Sequence, residues 1–256
     1  MVAAILYWLS SLTVPLIGSS FQLQTLSETT GLCLGLSSVL IGQIITITYY
    51  VQYPHTQTVQ QKPPRKYSFW ENVLRHFTEL EGIILLGSYL STTWYLKMMP
   101  LSYYSFNGGI RWIDVLSQLL VQDLLQYMMH RFEHYYSTIY KYTHKQHHKF
   151  TNPILFDAFQ GSCADTVFMI LIPLFFTSRI VHTNVWSYMT FGTLYANWLT
   201  LIHSEYIHPW DTTFSQIGFG TPTDHHIHHK LYKYNYGHIF TYWDHLFGTY
   251  KYSFDP

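Results

Sequence analysis

Residues 110–148 read IRWIDVLSQLLVQDLLQYMMHRFEHYYSTIYKYTHKQHH, an apolar segment that leads directly into two groups of histidines. The first part, Ile110–Met129, carries the acids Asp114 and Asp123 among mostly apolar residues. A helix needs about 20 such residues to cross a bilayer. The stretch therefore predicts a membrane helix that ends in a cluster of imidazoles.

Other apolar segments lie on both sides of Ile110–Met129. Gly31–Val51 has no charged residue and is long enough to span a bilayer. Gly82–Met99 is followed by a turn-like segment, so it is expected to form a hairpin with Ile110–Met129. Thr166–Val181 and Val185–Ile202 are expected to form a second hairpin. We therefore predict an all-α integral membrane bundle of about four transmembrane helices.

The two hairpins also predict which segments share a face of the membrane. Each hairpin returns the chain to the side of the membrane from which it started. We therefore expect one face to carry the loop 52–78, the segment 130–165 and the tail 203–256. The loop is rich in Lys and Arg, and cytoplasmic loops carry an excess of these residues. Most of the histidines are thus expected at the cytosolic face.

The first 20 residues are also uncharged, but they lack the basic start of a signal peptide. Pro15 and several serines make them a candidate for an interfacial or short membrane segment. We divide the chain into an N-terminal membrane region, residues 1–109, and a histidine-containing region, residues 110–256. The two are expected to form one integrated domain.

The composition supports a membrane protein and argues against other classes. Of 256 residues, 11% are charged, against roughly 25% in a soluble domain, and 19% are aromatic. Tyr and Trp are enriched at membrane interfaces. The formal net charge of zero gives no basic footprint for nucleic acid. Cys33 and Cys163 lie far apart, which favours neither a zinc site nor a disulfide scaffold.

The 16 histidines outnumber both the acids and the bases, and most fall into four motifs. These are HRFEH with His130 and His134, HKQHH with His144, His147 and His148, HSEYIH with His203 and His208, and HHIHH with His225, His226, His228 and His229. Residues three and four apart share a helix face. We therefore expect His130 to point with His134, and each of the sets 144/147/148 and 225/228/229 to aim at one point.

The number of histidines indicates two metal ions. Neutral imidazole is the commonest metal-binding side chain, and one tetrahedral zinc takes at most four protein ligands. Eight histidines in helix-faced groups, with His203, exceed that need about twofold. Few carboxylates are near, which argues against hydrolytic dinuclear sites and Glu-x-x-His di-iron bundles. An all-imidazole pair at a membrane surface suits oxygen activation, with lipid C–H bonds delivered from the bilayer.

These motifs, followed by YKYNYGHIFTYWDHLFGTY at 232–250, resemble the fatty acid hydroxylase/sterol desaturase superfamily over residues 110–252. The resemblance implies an endoplasmic-reticulum enzyme with a histidine-bound di-iron centre, which uses O2 and electrons delivered through cytochrome b5. It also implies nine iron ligands, which are His130, His134, His144, His147, His148, His203, His225, His228 and His229.

The resemblance points to further residues near these ligands. Asp123 matches an acid that is usual in the family seven residues before the first motif, and Asp244 lies in the tail motif. Either carboxylate is expected to orient a ligand imidazole by accepting its second N–H, unless it is a helix cap or a surface acid. His208, His226 and His238 are further candidates for this surrounding layer.

The motifs divide between subfamilies. Residues 228–238, HHKLYKYNYGH, are most similar to sterol C5-desaturases, whereas methylsterol and cholesterol hydroxylases often carry HSGY where residues 203–206 read HSEY. Many members have His-Pro and an acid after the second motif, but around Gln160 residues 159–163 read FQGSC. The last motif begins Asp224-His225 instead of the frequent His-His. The missing His-Pro argues against a C5-desaturase and leaves an inactive family member as an alternative.

The sequence thus predicts a membrane-bound di-iron oxidoreductase that uses O2 to desaturate or hydroxylate a lipid, with a sterol as the expected substrate. A fatty acyl or alkyl lipid hydroxylase is the alternative reaction, and a non-catalytic metal-binding membrane protein is the alternative class. This length accommodates no cytochrome b5 domain, so an external donor such as cytochrome b5 with its reductase is expected. In a eukaryote the enzyme is expected in the endoplasmic reticulum membrane, with its site facing the cytosol.

Overall fold

The structure is a computed structural model that describes residues 28–62 and 65–254. Residues 1–20, which we considered as a membrane segment, lie outside the described residues. Within the described ranges the chain is helical and contains no β-strand. Two isolated antiparallel bridges join Thr58 to Tyr206 and Phe219 to Phe240. The predicted all-α class is therefore confirmed for this part of the chain.

The α-helices follow one another along the described chain. They are α1 (Glu28–Gln52), α2 (Phe69–Thr78), α3 (Leu85–Tyr95), α4 (Trp112–Tyr135), α5 (Ser137–Tyr142), α6 (Cys163–Ile180), α7 (Val185–Ile202), α8 (Asp211–Gln216), α9 (Pro222–Leu231) and α10 (Tyr242–Leu246). Short 3₁₀ segments cover Leu101–Tyr104, His144–Lys149 and Leu155–Asp157. A π turn at Leu80–Ile84 precedes α3, and another at Val167–Leu171 lies within α6.

Helices α1 and α7 pack closely because small and polar residues line their contact. A Cβ atom on Gly42 would lie 2.3 Å from Nδ2 of Asn197, so only glycine allows this approach. The Thr200 hydroxyl donates to Oε1 of Gln43 at 3.0 Å. Small residues and interhelical hydrogen bonds of this kind are typical of helix contacts within a bilayer. The opposite face of α1 exposes apolar side chains, among them Ile41 and Ile44.

Helix α4 buries a polar stripe against α7. Nε2 of Gln122 donates to the Tyr195 hydroxyl at 3.2 Å, and that hydroxyl donates to Oε1 of Gln126 at 2.7 Å. Because these two glutamines and the tyrosine bond to one another, this part of the stripe can lie inside the bundle. It also leads along α4 towards His130, which lies near the end of the helix.

The number of spanning helices agrees with the prediction only in part. Helix α1, from Thr29, and helix α6 are long and apolar enough to cross a bilayer. The predicted span 82–99 is interrupted at Gly82, whose backbone is non-helical (φ −100°, ψ −123°), and leaves an α3 of 11 residues. Helices α4 and α7 have 24 and 18 residues but carry polar side chains in their buried faces. The count of four spans therefore stays a prediction.

Candidate metal centre

Four segments bring the clustered histidines together where α4 and α7 end. Helix α4 contributes two, the 3₁₀ segment His144–Lys149 three, the residue after α7 one and α9 three. Eight of these side chains are buried, and that of His134 is half-buried. The structure thus assembles all nine histidines that the sequence singled out, although they lie up to 99 positions apart (130 to 229).

The nine histidines form two groups of candidate ligands. The first group is His130, His134, His144, His148 and His228, and the second is His147, His203, His225 and His229. Within each group the candidate ligand atoms lie within 4.8 Å of one another. The expected pairing of His130 with His134 is found. Two imidazoles of each larger set also share a group, His144 with His148 and His225 with His229, whereas His147 and His228 each lie in the other group.

Helix geometry explains the division. At about 100° per residue, His225 and His229 lie about 40° apart around α9, whereas His228 lies about 100° from His229. Helix α9 therefore sends two imidazoles to the second group and one to the first. Residues 144–149 form a 3₁₀ helix, in which His144 and His147 are separated by about 6 Å along the axis. His144 and His148 nevertheless share the first group, and His147 turns to the second.

Main-chain carbonyl groups set the tautomer of four of these imidazoles. The Nδ1 atoms lie 2.7–2.9 Å from carbonyl oxygens in the pairs His130–Tyr236, His147–Gln160, His203–Leu199 and His228–Tyr234. A carbonyl oxygen can only accept a hydrogen bond, so each Nδ1 carries the proton. The lone pair on each Nε2 is then free for a metal ion.

The free lone pairs face one another. Nε2 of His130 lies 2.9 Å from Nε2 of His144, whose Nδ1 donates to Oδ1 of Asp165 at 2.8 Å. In the second group, Nε2 of His203 lies 3.3 Å from Nε2 of His147. In this second pair both Nδ1 atoms donate to carbonyl oxygens, so the two Nε2 atoms have no proton to share and their contact is repulsive without a cation. Two nitrogens at a right angle, each about 2.1 Å from one ion, would lie roughly 3 Å apart. The donor set therefore fits one cation in each group.

Burial keeps these imidazoles neutral. It lowers the pKa of His147 to about 4, and it lowers the pKa values of His225 and His229 well below the ordinary value. Neighbouring imidazoles lower the pKa values of His225 and His229 further. Neutral imidazole is the form that binds a metal ion, so the site is ready for coordination at neutral pH.

Residues 159–165 support the histidines from outside the two groups. The Gln160 carbonyl holds His147 and the Asp165 carboxyl group holds His144. Sequence reasoning missed Asp165, and its signal was an acid in the first turn of an otherwise apolar helix. It also missed Glu133, which forms a compact set with His144 and Asp165.

The predicted roles of Asp123 and Asp244 require correction. The Asp123 carboxylate accepts backbone N–H groups from residues 238–240 at 2.8–3.1 Å, and Asp244 accepts those of Tyr236 and Gly237 at 2.8 Å. The prediction that either one accepts an imidazole N–H is wrong, because both face the buried backbone of the tail. They hold the loop whose Tyr236 carbonyl orients His130.

The three additional candidate histidines differ in position. Nδ1 of His208 lies 3.0 Å from the Tyr49 hydroxyl, and Nδ1 of His226 lies 3.2 Å from Nε2 of Gln60. The ring of His238 lies between the groups, 4.9 Å from that of His130 and 5.1 Å from that of His225. Among the described residues, these three belong to neither group.

Two cavities adjoin the centre. One, of about 410 Å³, is lined by His144, His147, His203 and His238 together with apolar residues of α6. The other, of about 750 Å³, lies among α1, α3 and α7 and has glycine, aliphatic and aromatic walls. Ligand pockets commonly have mostly apolar walls with a few polar groups. The arrangement suits the oxidation of an apolar molecule at buried metal ions.

Comparison with known proteins gives consistent similarities. The fatty acid hydroxylase family model matches residues 115–249. The alternative squalene epoxidase of Phaeodactylum tricornutum is 46% identical, over 96% of this chain and 78% of the relative. Methylsterol monooxygenase 1 of Danio rerio is 30% identical, over 73% and 65% of the two chains. A cholesterol 25-hydroxylase-like protein of Danio rerio is 29% identical, over 61% and 62%. No solved structure matches the chain.

Proposed function

Since the chain belongs to the fatty acid hydroxylase family, we propose that this lipid oxygenase epoxidises a linear isoprenoid hydrocarbon of the squalene type. The carrying observation is the 46% identity to an alternative squalene epoxidase over 96% of the chain. The reaction joins one oxygen atom of O2 to both carbons of a double bond. Two electrons and two protons reduce the other oxygen atom to water.

We propose that five imidazoles hold one iron ion and four hold a second. The fit rests on the two groups of converging imidazole nitrogens, and in His130, His147, His203 and His228 the Nε2 lone pair is free because Nδ1 carries the proton. When bound, the iron pair supplies the reduction of O2 and the transfer of one oxygen atom. The electrons come from an external donor such as cytochrome b5 with its reductase.

The chain itself supplies orientation and exclusion of water. Asp165 and the Gln160 carbonyl each hold an imidazole proton, which keeps the Nε2 atoms directed inward. The apolar cavity among α1, α3 and α7 holds the hydrocarbon, whose lack of polar groups matches the walls. Tyr195 lines this cavity, but its hydroxyl is already hydrogen-bonded to Gln122 and Gln126. A buried sterol hydroxyl without a partner would cost about 1–3 kcal/mol.

Hydroxylation of a sterol methyl group is the second candidate, favoured by the 30% identity to a methylsterol monooxygenase. None of the three relatives named above is a desaturase, so the desaturation predicted from residues 228–238 has weaker support. We place the enzyme in the endoplasmic reticulum membrane with its histidines facing the cytosol. The two membrane-length helices and the basic loop 52–78 support this placement.

The test uses a eukaryotic host that lacks its own squalene epoxidase. The host expresses the intact chain, a His203→Ala variant or a His182→Ala control, whose histidine is exposed and lies in the loop before α7. We expect squalene epoxide and two irons per purified chain with the intact protein and the control, and the loss of the epoxide and of one iron with His203→Ala. Oxidised methylsterols or a new sterol diene, formed without squalene epoxide, would show sterol hydroxylation or desaturation in place of the proposed epoxidation. The absence of product and of iron would refute the oxygenase.

A further inference from the structure

Phe159 stands where three cavities meet. Its side chain lines the cavity beside the histidines, the apolar cavity among α1, α3 and α7, and a third cavity of about 680 Å³ between α1 and α3. Leu199 lines the first two as well. These two side chains therefore form the wall that the apolar cavity shares with the cavity beside the histidines.

The position of Phe159 is braced from two sides. A Cβ atom on Gly82 would lie 3.0 Å from the Cβ of Phe159, so the interrupted helix before α3 leaves room for it. On another side the ring of His76 lies 5.5 Å from the Phe159 ring. His76 is itself held by Oε1 of Gln43 at 2.9 Å. The Phe159 ring is 7% exposed and fills a defined place in the wall.

The backbone next to Phe159 is tied to the metal centre. Because the Gln160 carbonyl accepts the proton of His147, the ring of Phe159 has a fixed position relative to the second histidine group. A change in the size of this one side chain therefore alters the opening between the cavities. It leaves in place the main-chain group that holds the imidazole.

We propose that Phe159 is a specificity-determining residue that limits how far a linear isoprenoid chain advances towards the histidines. This inference rests on the proposed function. The isoprenoid lies in the apolar cavity, and only its terminal unit passes the ring of Phe159. The terminal double bond is therefore the one that is oxidised. A wider opening would let the chain slide further and would present internal double bonds.

Substitutions of Phe159 test the opening directly. Purified, iron-loaded enzyme is supplied with squalene, and terminal and internal epoxides are separated by gas chromatography with mass spectrometry. Because a hydrophobic pocket discriminates a small size difference by about tenfold or more, Phe159→Ala is expected to raise the internal fraction roughly tenfold. Phe159→Trp is expected to suppress squalene turnover while the iron content stays at the level of the intact enzyme. An unchanged ratio of epoxides in iron-loaded Phe159→Ala would overturn the inference.

Gly35 provides a matched change elsewhere in the apolar cavity. A Cβ atom there would have no neighbour within 4 Å, so Gly35→Leu should fill cavity space without displacing protein atoms near the Cβ. We expect Gly35→Leu to lower turnover of squalene without changing which bond is oxidised. A shift in the ratio of epoxides with Gly35→Leu would show that the whole cavity, and not Phe159, sets the position.

A binding readout separates this inference from the proposed reaction. An aliphatic diazirine probe without polar groups is photolysed with iron-loaded enzyme that receives no electron donor. We expect labels in residues 31–39 and 189–199, and fewer with Gly35→Leu. Labelling there without squalene epoxidation by the intact enzyme would refute the proposed reaction and keep the apolar cavity as the binding site. Epoxidation without labelling of these residues would refute the apolar cavity as the binding site.

Discussion

Replacement of Asp165 provides a sharp test of how the first histidine group is held. Oδ1 of Asp165 accepts the Nδ1 proton of His144 at 2.8 Å, and both side chains are buried. Loss of the acceptor would leave a buried imidazole N–H without a partner, which costs about 1–3 kcal/mol. Loss of a residue that orients a metal-binding imidazole typically costs 10–100-fold in affinity, which corresponds to about 1.4–2.8 kcal/mol. The two values agree.

We therefore expect Asp165→Ala to weaken iron binding at the first group about 10–100-fold and to leave the second group nearly unchanged. Iron per chain is measured by competition with a chelator of graded concentration. The intact protein should release both ions over one range, whereas Asp165→Ala should release one ion earlier. Asp165→Asn, which keeps an acceptor oxygen, should fall between them.

Asp114→Asn is the matched control, since Asp114 lies at the start of α4 and bonds to Arg111 and Thr183. Its iron release should match that of the intact protein. Equal release of both ions from Asp165→Ala, or release that matches the control, would refute the argument that Asp165 acts through His144.

Three further predictions concern packing, pH and the tail. Gly42→Ala places a methyl group 2.3 Å from Nδ2 of Asn197, so a loss of about 1–3 kcal/mol is expected, and an unchanged melting temperature in detergent would contradict it. The pKa of His147 is lowered by burial from 6.5 to about 4, so the folded state favours the neutral ring. In metal-free protein this stability is present above pH 6.5 and is lost as the pH falls to about 4, by about 3 kcal/mol. A melting temperature that does not depend on pH over this range would contradict this prediction. Asp123→Ala leaves the backbone N–H groups of residues 238–240 without their acceptor, which should cost at least about 2 kcal/mol and should lower iron retention at His130. Iron retention equal to that of the intact protein would show that this loop does not support the metal centre.

Much of the candidate centre could be predicted from local sequence. Spacings of three and four residues, next to apolar segments, singled out eight of the nine histidines that the structure brings together, and the family resemblance added His203. Helix propensity and apolar length likewise predicted α1 and α6 within a few residues. These features depend on neighbours along the chain, which helical periodicity relates directly.

Partners distant in the chain could not be predicted in this way. His130 is oriented by the carbonyl of Tyr236, 106 positions away, and His144 is oriented by Asp165. Asp123 looked suited to hold an imidazole but instead holds the tail backbone. The backbone N–H groups buried there need an acceptor, because leaving them unpaired would cost free energy of folding.

The motifs alone therefore determined which imidazoles are available, and the packing of α9 against α4 and α7 decided how they divide. Helical spacing gives the angles between side chains on one segment, but it does not say what lies on either side of that segment. Because α9 presents His228 to one side and His225 with His229 to the other, the five-and-four division arises only when the helices are packed together. The same packing places Phe159 between the apolar cavity and the histidines.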